Sequence, residues 1–132
     1  MDPFNGEIIK NSFTALSDEM FEAMRRTSKS PIIYEVLDFG VGITDAKGEL
    51  LAMGSGIPFL LSSLETLVKG VIEKHSPAGI NLGDVFISND PYHQGAGTHL
   101  NDCGLVMPVF FEGELVAFTS VNAHWTDVCG MH

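Results

Sequence analysis

The sequence predicts an α+β domain in which a largely antiparallel sheet packs against two main helices. Three observations carry this. Apolar residues recur at three- and four-residue steps in two long segments, β-branched and aromatic runs lie between and after them, and two pairs of runs flank tight turns. The resulting order is helix, hairpin, helix, strand, long loop, hairpin, which is not the strand–helix alternation of a parallel sheet. No GxGxxG or P-loop pattern occurs, so the chain carries no recognisable nucleotide-binding loop of its own.

The first helix is marked by Ile8, Ile9, Phe13, Leu16, Met20 and Met24, which fall on one face. Arg25, Arg26 and Lys29 gather at its C-terminal end, where the helix dipole favours cations, and Ser30-Pro31 stops it. It should cover an apolar sheet face with Phe13, Leu16 and Met20 buried, and the Phe residues as a group should be core. A second helix is expected from about Ser63 to His75, opened by a capping box in Ser62-Ser63-Leu64-Glu65 and striped by Leu64, Leu67, Val68, Val71 and Ile72. Strands at 41–44 and 49–53 flank Asp45-Ala46-Lys47-Gly48. A further strand spans 85–88 after Gly83-Asp84, and strands at 105–111 and 114–121 flank Glu112-Gly113. Between Asn89 and Gly104 lies a polar, glycine-rich loop of about sixteen residues, a length that usually signals function in a compact chain.

Composition narrows the function classes. With 132 residues, 45% hydrophobic and nine Phe, the chain has material for one folded core. Seven Lys+Arg against seventeen Asp+Glu give a formal charge of −10, which repels phosphate backbones and anionic lipid headgroups. Nucleic-acid and membrane roles are therefore disfavoured, and no apolar run approaches the roughly 20 residues of a bilayer span. Met1-Asp2-Pro3-Phe4 has no signal-peptide character, and Cys103 and Cys129 are too few for a disulfide framework. A cytoplasmic chain is expected, with both cysteines as small buried apolar residues.

One constellation suits chemistry. His99 and Asp102 stand three apart, and His124 follows the strand that starts after Glu112-Gly113. Antiparallel pairing about that turn sets Ala117 near Val109 and Val121 near Leu105, which brings His124 close to Asp102. Two imidazoles and a carboxylate at a strand end suit Zn²⁺, Mn²⁺ or Fe²⁺ with positions open for water or substrate. The same spacing also arises by chance, and a His–Asp pair can be a purely structural contact. Asp38, between Leu37 and Phe39, is open to two readings, strand cap or site residue. His93 could be a substrate contact, a ligand or a loop hydrogen-bond partner, and His75 closes a helix at the surface.

Several segments, in order along nearly the whole chain, resemble the hydantoinase B (HyuB-type) family, which includes the C-terminal half of 5-oxoprolinases and subunits of acetone and acetophenone carboxylases. They are Arg26-Thr27-Ser28-Lys29-Ser30-Pro31, Glu35-Val36-Leu37-Asp38-Phe39, Asp45-Ala46-Lys47-Gly48-Glu49-Leu50-Leu51-Ala52 and Ile57-Pro58. Then come Gly83-Asp84-Val85-Phe86-Ile87-Ser88-Asn89-Asp90-Pro91-Tyr92, Gly97-Thr98-His99-Leu100-Asn101-Asp102, Pro108-Val109-Phe110 and Ala123-His124-Trp125-Thr126-Asp127-Val128-Cys129-Gly130.

The resemblance implies a metal-bearing subunit of an ATP-dependent enzyme, with Asp38, His99, Asp102 and His124 on the family's metal-site positions and Zn or Mn as the metal. The implied reaction is hydrolysis of a small cyclic amide of the hydantoin or 5-oxoproline type, with ATP used by a separate HyuA-type partner in a hetero-oligomer. A ketone carboxylase subunit and a non-catalytic assembly subunit are the alternatives. Asp127, three residues past His124, is the expected proton-transfer or ligand-orienting carboxylate. Two departures stand out: Cys129 replaces the first glycine of a usual Gly-Gly, and the 92–97 loop is slightly long. Because family chains run several times longer, residues 1–132 are expected to form the single N-terminal domain of a larger HyuB-like fold. Unmatched apolar groups are then expected at Phe59, Leu60, Leu61 and Trp125.

Overall fold

The computed structural model describes residues 3–92 and 99–128. Five strands form one antiparallel sheet in the order β2-β1-β5-β4-β3, with β1 at Phe39–Asp45, β2 at Leu50–Met53, β3 at Phe86–Ser88, β4 at Asp102–Phe111 and β5 at Glu114–His124. The helices are α1 (Pro3–Thr27), the single turn α2 (Pro31–Tyr34) and α3 (Pro58–His75), and a 3₁₀ turn follows at Pro77–Gly79. The α+β class, both hairpins and both main helices are as the sequence predicts, whereas α2 and the 3₁₀ turn are too short to leave a periodic signal.

Each hairpin is set by its turn. Asp45 accepts the Lys47 and Glu49 amides on Oδ1 at 2.8 and 2.9 Å, which closes the β1–β2 connection. Between β4 and β5, Glu112 and Gly113 both take positive φ, 50° and 86°, the pairing a two-residue turn needs to match strand twist. Pairing then runs outward from this turn, with a one-residue register shift between Val109 and Phe110. Leu105 faces Val121, Val109 faces Ala117, and the ladder continues past the predicted strand ends until Asp102 faces His124. Asp102, Cys103 and Gly104 are therefore strand residues, and the loop before them is shorter than the sequence suggests.

The two faces of the sheet are covered differently. Against one lies α3, whose Leu67, Val68 and Val71 pack with Val106 and Phe118. Its buried stripe matches expectation, but its start does not. The helix begins at Pro58, a residue preorganised for the first helical position, so Ser62 and Ser63 lie inside it. Their hydroxyls donate back to Phe59 O and Leu60 O, and no capping box forms. Glu65 instead accepts from Lys69 and the Leu50 amide. Over the other face, Phe21 of α1 and Ile33 of α2 pack on Phe39, Val41 and Ala123.

Helix α1 departs most from expectation. Its buried residues are Ser17 and Phe21, Phe13 and Met20 are half-buried, and Leu16 is exposed along with Phe4, Ile8 and Ile9. Apolar periodicity marks a helix but does not say how much of its length meets the sheet. The Phe residues are not uniformly core, since Phe4, Phe59 and Phe111 are exposed. Of the four apolar residues expected to be unmatched, only Phe59 is exposed: Leu60 is 2% exposed, and Trp125 packs on the Phe21–Phe39 cluster. Among the described residues, no helix is long and apolar enough to cross a membrane.

Candidate metal centre

Three segments of the chain meet at one end of the sheet. Register carries Asp102, at the start of β4, opposite His124, at the end of β5. The same register in the next pair places Phe39 opposite Ala123, so Asp38 arrives just before β1 beside His124, whose amide donates to Asp38 O at 3.0 Å. His99 is held by the turn that leads into β4, where the Asp102 amide donates to His99 O at 3.0 Å. One residue pins this turn across the sheet end. Asn101 accepts the Trp125 amide on its carbonyl at 2.8 Å and donates Nδ2 to Trp125 O at 2.7 Å. That reciprocal clamp was not legible in the sequence, where Asn101 is only a polar neighbour of Asp102.

One donor atom from each of His99, Asp102 and His124 lies within 4.8 Å of the others. The two Asp102 oxygens divide the work: Oδ2 faces His99 Nδ1 and Oδ1 faces His124 Nδ1, each at 3.8 Å. The imidazole rings stand edge to face, with centroids 4.9 Å apart. A separation of 3.8 Å is too long for a hydrogen bond. It is close to the roughly 3.0–3.4 Å between two donors that each lie about 2.1 Å from a shared cation. The Asp102 side chain is only 4% exposed, so its charge is screened from water and has two imidazoles for neighbours. By donor chemistry, spacing and burial, these three residues fit a divalent metal.

Asp38 approaches the same nitrogen of His124, with Oδ2 3.9 Å from Nδ1, but is not one of the three mutually close donors. Leu37, just before it, holds a left-handed φ of 62°, a conformation that costs a non-glycine residue about 1–2 kcal/mol. Such strain at a chain reversal next to the cluster fixes how Asp38 enters. Gly56 lets the chain leading into α3 press against this reversal, since a Cβ there would lie 2.5 Å from Phe39 O. Behind His124, buried Asn122 donates Nδ2 to Ser63 Oγ at 2.7 Å, tying β5 to α3.

Asp127 is exposed on the segment after β5. Cys103 is buried, and burial together with the neighbouring Asp102 charge pushes its thiol up from the usual range, so it remains a neutral apolar group at pH 7. His75 is exposed and tilts against Phe86, with centroids 4.7 Å apart. His93, Cys129 and the 93–98 part of the long loop fall outside the described residues.

The fold and cluster together define an α+β domain with a two-histidine, one-carboxylate cluster at the open end of an antiparallel sheet. The chain belongs to the hydantoinase B/oxoprolinase family, whose model matches residues 2–132. It is similar to a 5-oxoprolinase of Dictyostelium discoideum, 32% identical over 133 residues, covering 99% of this chain and 10% of that protein. The solved structure of an ATP-dependent caprolactamase from Pseudomonas jessenii superposes with a TM-score of 0.78 at 27% identity, over 96% of this chain and 21% of that one. An acetone carboxylase shares the fold, with a TM-score of 0.83 at 23% identity over 93% of this chain and 16% of that one. The chain spans about 10–23% of the length of the curated relatives it matches.

Proposed function

We propose that this chain is the metal-bearing domain of a HyuB-type subunit that opens a small cyclic amide of the hydantoin or 5-oxoproline type, working in the cytoplasm beside a HyuA-type subunit that uses ATP. The observation that carries this reading is the convergence of His99, Asp102 and His124 at a strand end, in a chain of the hydantoinase B/oxoprolinase family. Relatives named as a 5-oxoprolinase and an ATP-dependent caprolactamase support the substrate class, since oxoproline and caprolactam are both cyclic amides.

In this reading His99, Asp102 and His124 hold a divalent ion, Zn or Mn, with Asp38 completing the shell after a small rotamer change. When bound, the metal would polarise a carbonyl or lower the pKa of water. The chain's own residues supply the rest. Asp102 presents one oxygen toward Nδ1 of each imidazole, so its carboxylate supplies the negative charge of the donor set between them. The Asn101–Trp125 clamp holds the His99 turn against β5. Asp127 is the carboxylate we assign to proton transfer at the exposed rim.

The test is reconstitution with a HyuA-type partner, ATP, and hydantoin or 5-oxoproline as substrate, comparing the native chain with His124→Ala. Ring opening that needs both subunits and falls at least a hundredfold in the variant is expected. ATP turnover that consumes bicarbonate and acetone, but no cyclic amide, would favour the carboxylase reading. Equal ring opening by the variant would reject the site.

A further inference from the structure

We propose that the groove between α3 and β3 receives an apolar substituent on the ring of the cyclic amide, so that the preferred substrate carries a group the size of benzyl. This rests on the ring-opening reading above and deepens it, by assigning the residues that choose among cyclic amides.

The groove encloses about 970 Å³, within the range of small-molecule sites. Among the described residues, its wall on α3 includes Leu67, Gly70 and Val71, which share one helical stripe at steps of three and four. Its floor on β3 is Phe86 and Ser88, and His75, tilted against Phe86, closes one end. Charge does not set its preference. Glu73 and Lys74 are exposed neighbours of opposite sign, and Asp90 accepts the Tyr92 amide on Oδ1 at 2.8 Å.

Strand register ties the other end of the groove to the metal centre. Ser88 pairs with Gly104, Phe86 with Val106 and Asp102 with His124, so all six lie on the sheet face that α3 covers. Asp102 is two residues from Gly104 along β4, which puts it about 8 Å from Ser88, Cα to Cα. Gly104 has no side chain, so nothing on β4 stands between Asp102 and Ser88 on that face. Asn89, next to Ser88, donates Nδ2 to Leu100 O at 3.0 Å, in the turn that carries His99. A cyclic amide with its carbonyl at the cluster therefore has the groove within reach of a group on its own ring. This continuity is what commits the groove to a substrate.

Gly70 adds a second observation. It lies in the interior of α3, where glycine is destabilising relative to alanine, and it faces the groove. Its missing side chain leaves that wall open between Leu67 and Val71.

The test compares hydantoin with 5-benzylhydantoin in two ways. One is an NMR titration of the chain, and the other is ring opening in the complex reconstituted with a HyuA-type partner and ATP. The benzyl compound should bind roughly tenfold tighter, the gain expected from burying an aromatic group, and kcat/KM should favour it by a similar factor. Gly70→Leu places a side chain in the groove and suits a helix, so it should remove the preference, whereas Gly70→Ala should keep part of it. Circular dichroism confirms that both variants fold. Equal binding of the two compounds by the native chain would overturn the assignment, as would a preference untouched by Gly70→Leu, even if hydantoin is opened. A binding preference that Gly70→Leu removes, with neither ring opened by the complex, would uphold the pocket and reject the ring-opening reading instead.

Discussion

The β4–β5 hairpin and helix α1 are both plain in the sequence, yet they differ in how far their consequences reach. Glu112-Gly113 closes the turn, a register irregularity between Val109 and Phe110 shifts the pairing by one residue, and from there the ladder fixes every partner down to Asp102 and His124. A turn and a one-residue irregularity beside it thereby position side chains about ten residues away on either arm. Helix α1 has an equally regular apolar pattern, but a helix can pack along any fraction of its length. From Phe4 to Leu16 none of its residues is fully buried, although the apolar pattern continues there. Strand register is dictated locally, whereas helix docking is decided by how much sheet lies beneath.

The contrast is sharpest in side-chain truncation. Phe118, fully buried between β5 and α3, should lose about 3–5 kcal/mol of stability on replacement by Ala, whereas Leu16→Ala on α1 should change it by less than about 0.5 kcal/mol. Urea unfolding followed by circular dichroism compares them, and a Leu16 effect as large as that of Phe118 would mean α1 is packed throughout. Next in size is Asn122→Leu, which removes the donor to Ser63 Oγ from the buried link between β5 and α3. A loss of about 1–3 kcal/mol is expected in the same assay. Gly113→Val tests the turn itself, since φ of 86° disfavours a β-branched residue. About 1–2 kcal/mol is expected, with Gly113→Asn restoring part of it.

The smallest effect belongs to the ion-pair cluster of Lys69 with Glu49 and Glu65, which joins α3 to the β1–β2 hairpin. Hydrogen bonding to Lys69 lowers the Glu65 carboxyl below its usual pKa and raises that of Lys69. The Glu65 contribution is therefore present above the unfolded-state carboxylate pKa and lost as pH falls through the depressed one. Lys69 gives the opposite case, lost only in strong base. All three groups are largely solvated, so Lys69→Met should shift Tm at pH 7 by no more than about 1–2 °C, and less in high salt.

Most of the candidate site could be read from residue order because it is built on register. Pairing about Glu112-Gly113 brings His124 to within a residue of Asp102, the irregularity between Val109 and Phe110 sets the two opposite each other, and the three-residue step back brings His99 with them. What could not be read depends on contacts between segments far apart in the chain. The Asn101–Trp125 clamp, the Asn122–Ser63 bond and the left-handed Leu37 leave no periodic or compositional trace. The start of α3 lies before the position its capping residues suggest for a different reason. Ser62-Ser63-Leu64-Glu65 has capping chemistry, but Ile57-Pro58 starts the helix a turn earlier and turns those hydroxyls back onto helix carbonyls. Competing local signals were present, and proline prevailed.

The central claim is that His99, Asp102 and His124 act as one metal centre, and metal content tests it most directly. The chain, stripped with chelator, reloaded with Zn²⁺ or Mn²⁺ and desalted, should retain close to one ion per protomer. His99→Ala and His124→Ala should each lose at least a hundredfold in affinity, with Asp38→Ala affected less because it lies outside the three mutually close donors. Equal metal retention by the native chain and both histidine variants, with all three folded, would contradict the account.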